Sequence, residues 1–223
     1  MRTLVLVPTA FEREKLEREL RALGADGQEI ATCGFGPIAA AARTQHLVRT
    51  ASPERVVLVG IAGTFDRDAF PIGTATAFAR ATCTGVGAHG ARGFLGPREL
   101  GFAQLDADEH GRAVFDEVAL ARPEGLPCLD VVLCAPTASA DPAEARSRAA
   151  LEPPPAAEDM ESFAAAIAAR LSGVPCAVLR GASNDVGDRD VRSWRVDEAI
   201  ASVARLLRDA LGATWNTNPE AER

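Results

Sequence analysis

Thr3-Leu-Val-Leu-Val-Pro-Thr-Ala-Phe-Glu-Arg-Glu-Lys-Leu-Glu-Arg-Glu-Leu-Arg-Ala-Leu-Gly24 contains two periodicities in succession, and together they decide the fold class. Residues 4–7 are an unbroken run of leucine and valine, the pattern of a strand buried on both faces in a parallel sheet. Pro8 ends the run. Beyond it, Phe11, Leu16, Leu20 and Leu23 fall on one side of a helix among Glu and Arg, and Gly24 stands where a C-terminal cap belongs. A strand that feeds an amphipathic helix is one β-α unit.

The rest of the chain repeats the alternation. Strands are expected near residues 29–33, 55–59, 72–79, 129–134 and 176–180, and helices near 37–49, 158–171 and 192–211. The glycines of Gly60-Ile-Ala-Gly63 read as a tight turn that lets a ligand approach the backbone. Residues 82–126 show no usable period, and residues 136–157, with Pro136, Pro142 and Pro153-Pro-Pro155, read as a loop around a short helix. The expected fold is a single α/β domain over residues 1–213, a central, mostly parallel twisted sheet between helices, followed by a polar tail at 214–223. Ligands then bind beyond the carboxyl ends of the strands.

Bulk properties narrow the function. The 223 residues are 47% hydrophobic and 25% charged, ordinary for a globular domain, and the net charge of −7 comes without any basic run. Such a chain has no source of attraction for a phosphate backbone, so nucleic acid is excluded as a partner. Cys33, Cys83, Cys128, Cys134 and Cys176 are odd in number, scattered and without metal-ligand spacing, which fits a reducing compartment and no metal. No apolar run is long enough for a signal peptide or a membrane span, so the expected location is the cytoplasm. Gly85-Val-Gly-Ala-His-Gly90 matches the dinucleotide-binding spacing, but no helix pattern follows it, and it reads as a glycine loop.

Three segments and a pair of segments lie at predicted strand ends and helix starts. They are Pro8-Thr-Ala-Phe-Glu-Arg-Glu14, Cys33-Gly-Phe-Gly-Pro-Ile-Ala-Ala40, Val59-Gly-Ile-Ala-Gly-Thr-Phe65, and the pair Glu158-Asp-Met-Glu161 and Arg180-Gly-Ala-Ser-Asn-Asp-Val-Gly-Asp-Arg-Asp190. In this order they resemble the nucleoside phosphorylase and methylthioadenosine/adenosylhomocysteine nucleosidase superfamily. The Ser-Asn-x-Val-Gly form of the last is similar to the futalosine hydrolase family in particular. The resemblance implies a three-layer fold, a purine nucleoside as substrate, no cofactor, a homo-oligomer, and hydrolysis of an N-glycosidic bond.

It also implies roles. Met160 and Glu161 lie under the ribose, where a carboxylate holds vicinal hydroxyls and favours the positive charge that develops on the sugar. Ile61, Ala62, Gly63, Phe65 and Ser183 help to form the nucleoside pocket. Water is activated by Glu14 if the Ala10 segment anchors the match, or by Glu12 if Leu16 does, and both assignments stand at this point. The base is met by Asn184, whose neutral amide suits a 6-oxopurine, or by Asp185 if Val186-Gly-Asp188 is the anchor. The latter belongs to an adenine nucleosidase. A phosphorylase would need cationic anchors, which Leu58 and Ile61 do not supply, although Arg13 and Arg43 lie nearby in sequence. A nucleoside-binding relative without activity would be expected to lack Glu161 or the N-terminal acids, and this sequence keeps them. Futalosine carries a carboxylated aromatic group on the 5′ side, for which Phe35, Phe65, Phe94, Arg92, Arg98 and His89 are candidates.

Overall fold

The strand of residues 3–7 is buried throughout, and its alternate side chains enter two different cores. A computed structural model describes residues 2–25, 27–91, 93–106 and 113–217. Along the chain β1 (Thr3–Val7), α1 (Ala10–Ala22), β2 (Glu29–Thr32), α2 (Pro37–Ala51), β3 (Arg55–Thr64) and β4 (Ala75–Cys83) come first. A hairpin of β5 (Ala88–Gly90) and β6 (Gly93–Leu95), the turn-length α3 (Pro97–Leu100), β7 (Glu117–Ala119) and β8 (Arg122–Pro123) follow. The chain then forms β9 (Cys128–Cys134), α4 (Pro142–Ala149), β10 (Ala157–Asp159), α5 (Ser162–Arg170), β11 (Cys176–Asp185), α6 (Val196–Gly212) and β12 (Trp215–Asn216).

The eight-stranded sheet runs β10-β9-β4-β11-β3-β1-β2, with β7 beside β4. β1, β2, β3 and β11 pair in parallel, while β4 meets β11 antiparallel, so the sheet is mixed. The end of β3 also pairs antiparallel with β10, which curls this end of the sheet around on itself. On one face Leu4, Leu6, Val56 and Leu58 pack with Ala40 and Val48 of α2 and with Phe163 and Ala165 of α5. Opposite them, Val5, Val7, Val57 and Val59 meet Leu16 and Leu20 of α1 and Ile200, Val203 and Leu207 of α6. Each of these buried Val, Leu, Ile and Phe side chains contributes roughly 1.5–3 kcal/mol of transfer free energy, which fixes the register of both helix layers. No described helix is long and apolar enough to cross a membrane.

The expected turn at Gly60-Ile-Ala-Gly63 is instead part of the second half of a ten-residue strand. Pairing with β11 on one side and β10 at its end satisfies the backbone, so glycine does not break it. Residues 157–161 are not helical either. Glu158 is held by Ser139 and Arg148, and Asp159 accepts from the N–H of Ser162 at 3.2 Å, so a strand ends there and the helix starts at Ser162. The chain also stays engaged beyond residue 213. β12 pairs with β8, Trp215 Nε1 donates to the carbonyl of Ala210, and the Arg55 guanidinium stacks 4.4 Å from the Trp215 ring centroid. The last six residues of the expected tail lie outside the described residues.

Candidate active site

Arg180 stands in the middle of β11 with no exposed surface, and a buried guanidinium is tolerable only where carboxylates compensate its lost hydration. It finds two. Nη2 lies 2.7 Å from Asp159 and 3.3 Å from Glu161, and Nε donates to Asp159 at 2.9 Å. Burial would lower the guanidinium pKa, but Asp159, Glu161 and Glu12 together hold it above its ordinary value. Nη1 has no hydrogen-bond partner among the described residues. It lies against Gly60, where an added Cβ would sit 2.3 Å from Nη1 and 2.8 Å from Glu12 Oε1. Any side chain there would have to displace two charged groups that lie against the glycine backbone.

Glu12 is placed by the start of α1. Thr9 caps the helix, its hydroxyl oxygen accepting from the Glu12 N–H, and the same hydroxyl donates to Glu12 Oε2 at 2.7 Å. Oε1 accepts from the N–H of Ile61 at 3.1 Å, so the carboxylate, 5% exposed, bridges α1 and β3. Glu14 is two residues further, about 200° around the helix, and faces solvent outside the cavity.

Glu161 sits at the junction of β10 and α5. Its Oε1 accepts from the N–H of Gly36 at 3.0 Å, and Gly36 takes a positive φ of 81° just before Pro37 opens α2. Burial pushes the Glu161 carboxyl up to about 7, with Asp159 and Glu12 adding to the rise and Arg180 and the Gly36 N–H opposing it. Ion pairing therefore does not fully compensate desolvation of this carboxylate.

Above these groups opens a cavity of about 420 Å³ at the carboxyl ends of β1, β3 and β11. Met160, Glu161, Ile61, Ala62, Gly63, Ser183, Asn184 and Glu12 line it. In β11 the register slips between Ala182, opposite Ala62, and Asn184, opposite Gly63, so Ser183 is an extra residue. A regular strand would point successive side chains to opposite faces, whereas this bulge lets both Ser183 and Asn184 face the cavity. Asn184 Oδ1 accepts from Ser183 Oγ at 2.6 Å and Nδ2 donates to the carbonyl of Asp185, which fixes which end of the amide is donor and which acceptor.

Some expected residues lie elsewhere. Asp185 turns out of the cavity to an exposed pair with Arg67, because the ladder resumes its alternation after Asn184. Phe65 is half-buried but does not line the cavity. Phe94 and His89 face each other on the β5–β6 hairpin, and Arg98 pairs with Asp116. Phe35 does line the cavity, whereas Arg92 lies outside the described residues. Arg13 is paired with Glu17 and Arg43 is exposed, both away from the cavity. Arg180, Asp159, Arg189 and Trp194 received no role from sequence. For Arg180 the signal was available, since a charge inside a strand of buried apolar residues requires a partner.

The sequence model of the phosphorylase superfamily matches residues 15–212. The chain belongs to that superfamily. Within it, a futalosine hydrolase from Streptomyces coelicolor is 33% identical over 233 residues, with 95% of this chain and 94% of that protein covered. The chain is thus a superfamily member of the N-glycosyl hydrolase kind. Among solved superfamily structures, a 5′-methylthioadenosine/S-adenosylhomocysteine nucleosidase from Colwellia psychrerythraea 34H, in complex with adenine, matches with a TM-score of 0.72 at 18% identity over 95% of each chain. The native structure of the futalosine hydrolase of Helicobacter pylori strain 26695 matches with a TM-score of 0.70 at 16% identity, covering 95% of this chain and 97% of that one. These two likenesses bear on the fold.

Proposed function

We propose that the chain hydrolyses the N-glycosidic bond of futalosine, a 5′-modified 6-oxopurine nucleoside, to hypoxanthine and dehypoxanthine futalosine, a step of menaquinone biosynthesis. The observation that carries this reading is the neutral amide of Asn184 in the wall of a cavity that also contains Glu12 and Glu161. Water attacks the anomeric carbon and its proton passes to the Glu12 carboxylate; the electron pair of the breaking bond leaves with the purine, which takes up a proton from solvent to give hypoxanthine, and Glu12 then releases its proton to solvent. Glu161 holds the ribose hydroxyls and faces the positive charge on the sugar. Met160 packs on the sugar, and Ile61, Ala62, Gly63 and Ser183 shape the wall. Arg180 acts through the carboxylates it positions. Leu58 is in the core and Ile61 is apolar, so water and not phosphate is the nucleophile. The five free cysteines favour a cytoplasmic site of action, and exposed Val86, Phe94 and Phe102 favour a homo-oligomer.

The direct test is turnover of futalosine, inosine and methylthioadenosine, each with and without phosphate. Futalosine is expected to be cleaved fastest, phosphate to have no effect, and the product to be the free sugar. A sugar 1-phosphate in the mass spectrum would establish a phosphorylase instead.

Base selection is tested at Asn184. Its amide satisfies a 6-oxopurine edge, whereas the amino group of adenine leaves buried polar atoms unpaired at a cost of roughly 1–3 kcal/mol each. The hypoxanthine form of one 5′-modified nucleoside is therefore expected to exceed its adenine form in kcat/KM by about ten-fold to a hundred-fold. Asn184→Asp is expected to narrow the ratio, because a carboxylic acid can protonate the adenine ring nitrogen. A ratio unmoved by Asn184→Asp but moved by Asp185→Asn would transfer the role to Asp185.

A further inference from the structure

The segment joining β11 to α6 adds a feature that the reaction at the anomeric carbon does not use. Arg189, Val191, Trp194 and Val196 come from it to line the cavity, together with Phe11 from α1 and Phe35 from the turn before α2. Among the described residues that line the cavity, Arg189 is the one cation. Its guanidinium lies 5.1 Å from the centroid of the Trp194 ring, and that ring is fixed by its own Nε1 donating to the carbonyl of Asp188 at 3.2 Å. Acids are close in sequence, yet they are already engaged. Asp188 accepts from Ser193 and from the N–H of Asp190, while Asp190 is paired with Arg192. Asp188 feels the charge of Arg189, but among the described residues no carboxylate lies within ion-pair distance of it, so its donor fork stands at the edge of an apolar wall.

A guanidinium over an indole face is weakly hydrated and keeps its planar donor fork, whose geometry matches the two oxygens of a carboxylate. The aromatic and aliphatic side chains around it suit a flat apolar body attached to that carboxylate. We propose that Arg189, stacked on Trp194, binds the carboxylate of an aromatic acid carried on the 5′ side of the nucleoside, and so selects charged over neutral 5′ groups. The proposal rests on the futalosine reading above and adds the residue that recognises the acid.

The test compares futalosine with its methyl ester, using the full-length wild type, Arg189→Gln and Arg189→Lys. In Arg189→Gln the acid-to-ester ratio of kcat/KM is expected to fall about ten-fold, mainly through KM for the acid, as for a partly exposed charge-assisted contact. Lysine restores part of the ratio, because it keeps the charge and loses the fork. Added salt should raise KM for the acid in wild type more than in Arg189→Gln. An equal loss for acid and ester would mean that Arg189 only shapes the wall, and an unchanged ratio would mean that another group binds the carboxylate. Either result overturns the proposal while futalosine cleavage by the wild type stands. Wild type that cleaves neither acid nor ester would bring down the functional reading, and this proposal with it.

Discussion

Glu12→Gln is expected to lower kcat by roughly 10²–10⁴-fold, the range associated with loss of a general base. The substitution is nearly isosteric. A glutamine oxygen can still accept from the Ile61 N–H, and the Thr9 cap of α1 depends on the Glu12 backbone N–H and not on its charge. What disappears is the ability to take a proton from water. The amide can no longer offer an acceptor oxygen to both Thr9 and the Ile61 N–H, but one such contact is a small part of the fold, so the loss should appear in kcat while the melting temperature changes little. Glu14→Gln is the matched comparison, because it removes the same charge two residues away on the exposed side of the same helix turn. Turnover in Glu12→Gln equal to that of wild type, or an equal loss in Glu14→Gln, would reject Glu12 as the water-activating group.

Glu161→Gln is expected to reduce kcat/KM by about 10²–10³-fold, the scale of one preorganised electrostatic contact with a developing charge. The amide oxygen can keep the Gly36 N–H satisfied, so the fold should survive. Two pH effects accompany this prediction. Burial raises the Glu161 carboxyl from its ordinary 4.5 to about 7, so the free wild-type enzyme holds it increasingly protonated below that pH. In the proposed reaction the ionised form meets the cationic sugar, so kcat/KM should fall on the acid side of about pH 7. The stability effect has the opposite direction. The folded state binds this proton more tightly than the unfolded chain, so stability is greater below pH 4.5 and declines as pH rises through about 7. Melting temperatures of wild type and Glu161→Gln, measured between those limits, should diverge in that sense. Parallel curves, or an active Glu161→Gln, would show that the carboxylate does not face the sugar.

The strands that carry the site were legible because they are buried on both faces, and the unbroken apolar runs of residues 4–7, 55–59 and 176–180 say so directly. Residues 82–126 were not, since strands of two or three residues are too short to establish an alternation. β10 was concealed by its charges: Glu158 and Asp159 look like the solvated side of a helix, and only their distant partners Ser139, Arg148 and Arg180 make them interior residues. The choice between Glu12 and Glu14 had a local clue in Thr9-x-x-Glu12, the spacing of a capping box, which turns the glutamate back toward the helix start. Arg189 and Trp194 had no comparable pattern, because a loop brings them to the cavity and neither helical nor strand spacing relates them.

The slipped register at Ser183 separates two kinds of mutational change. On the reading proposed above, exchanging the side chain at position 184 alters what the leaving base meets while every backbone pair of β11 with β3 stays in place. Deleting one residue there would restore strict alternation and move either Ser183 or Asn184 to the opposite face, toward the side of the sheet covered by α6. Divergence in base preference is thus open to single substitutions, whereas the length of this short stretch is held constant by the ladder on either side of it.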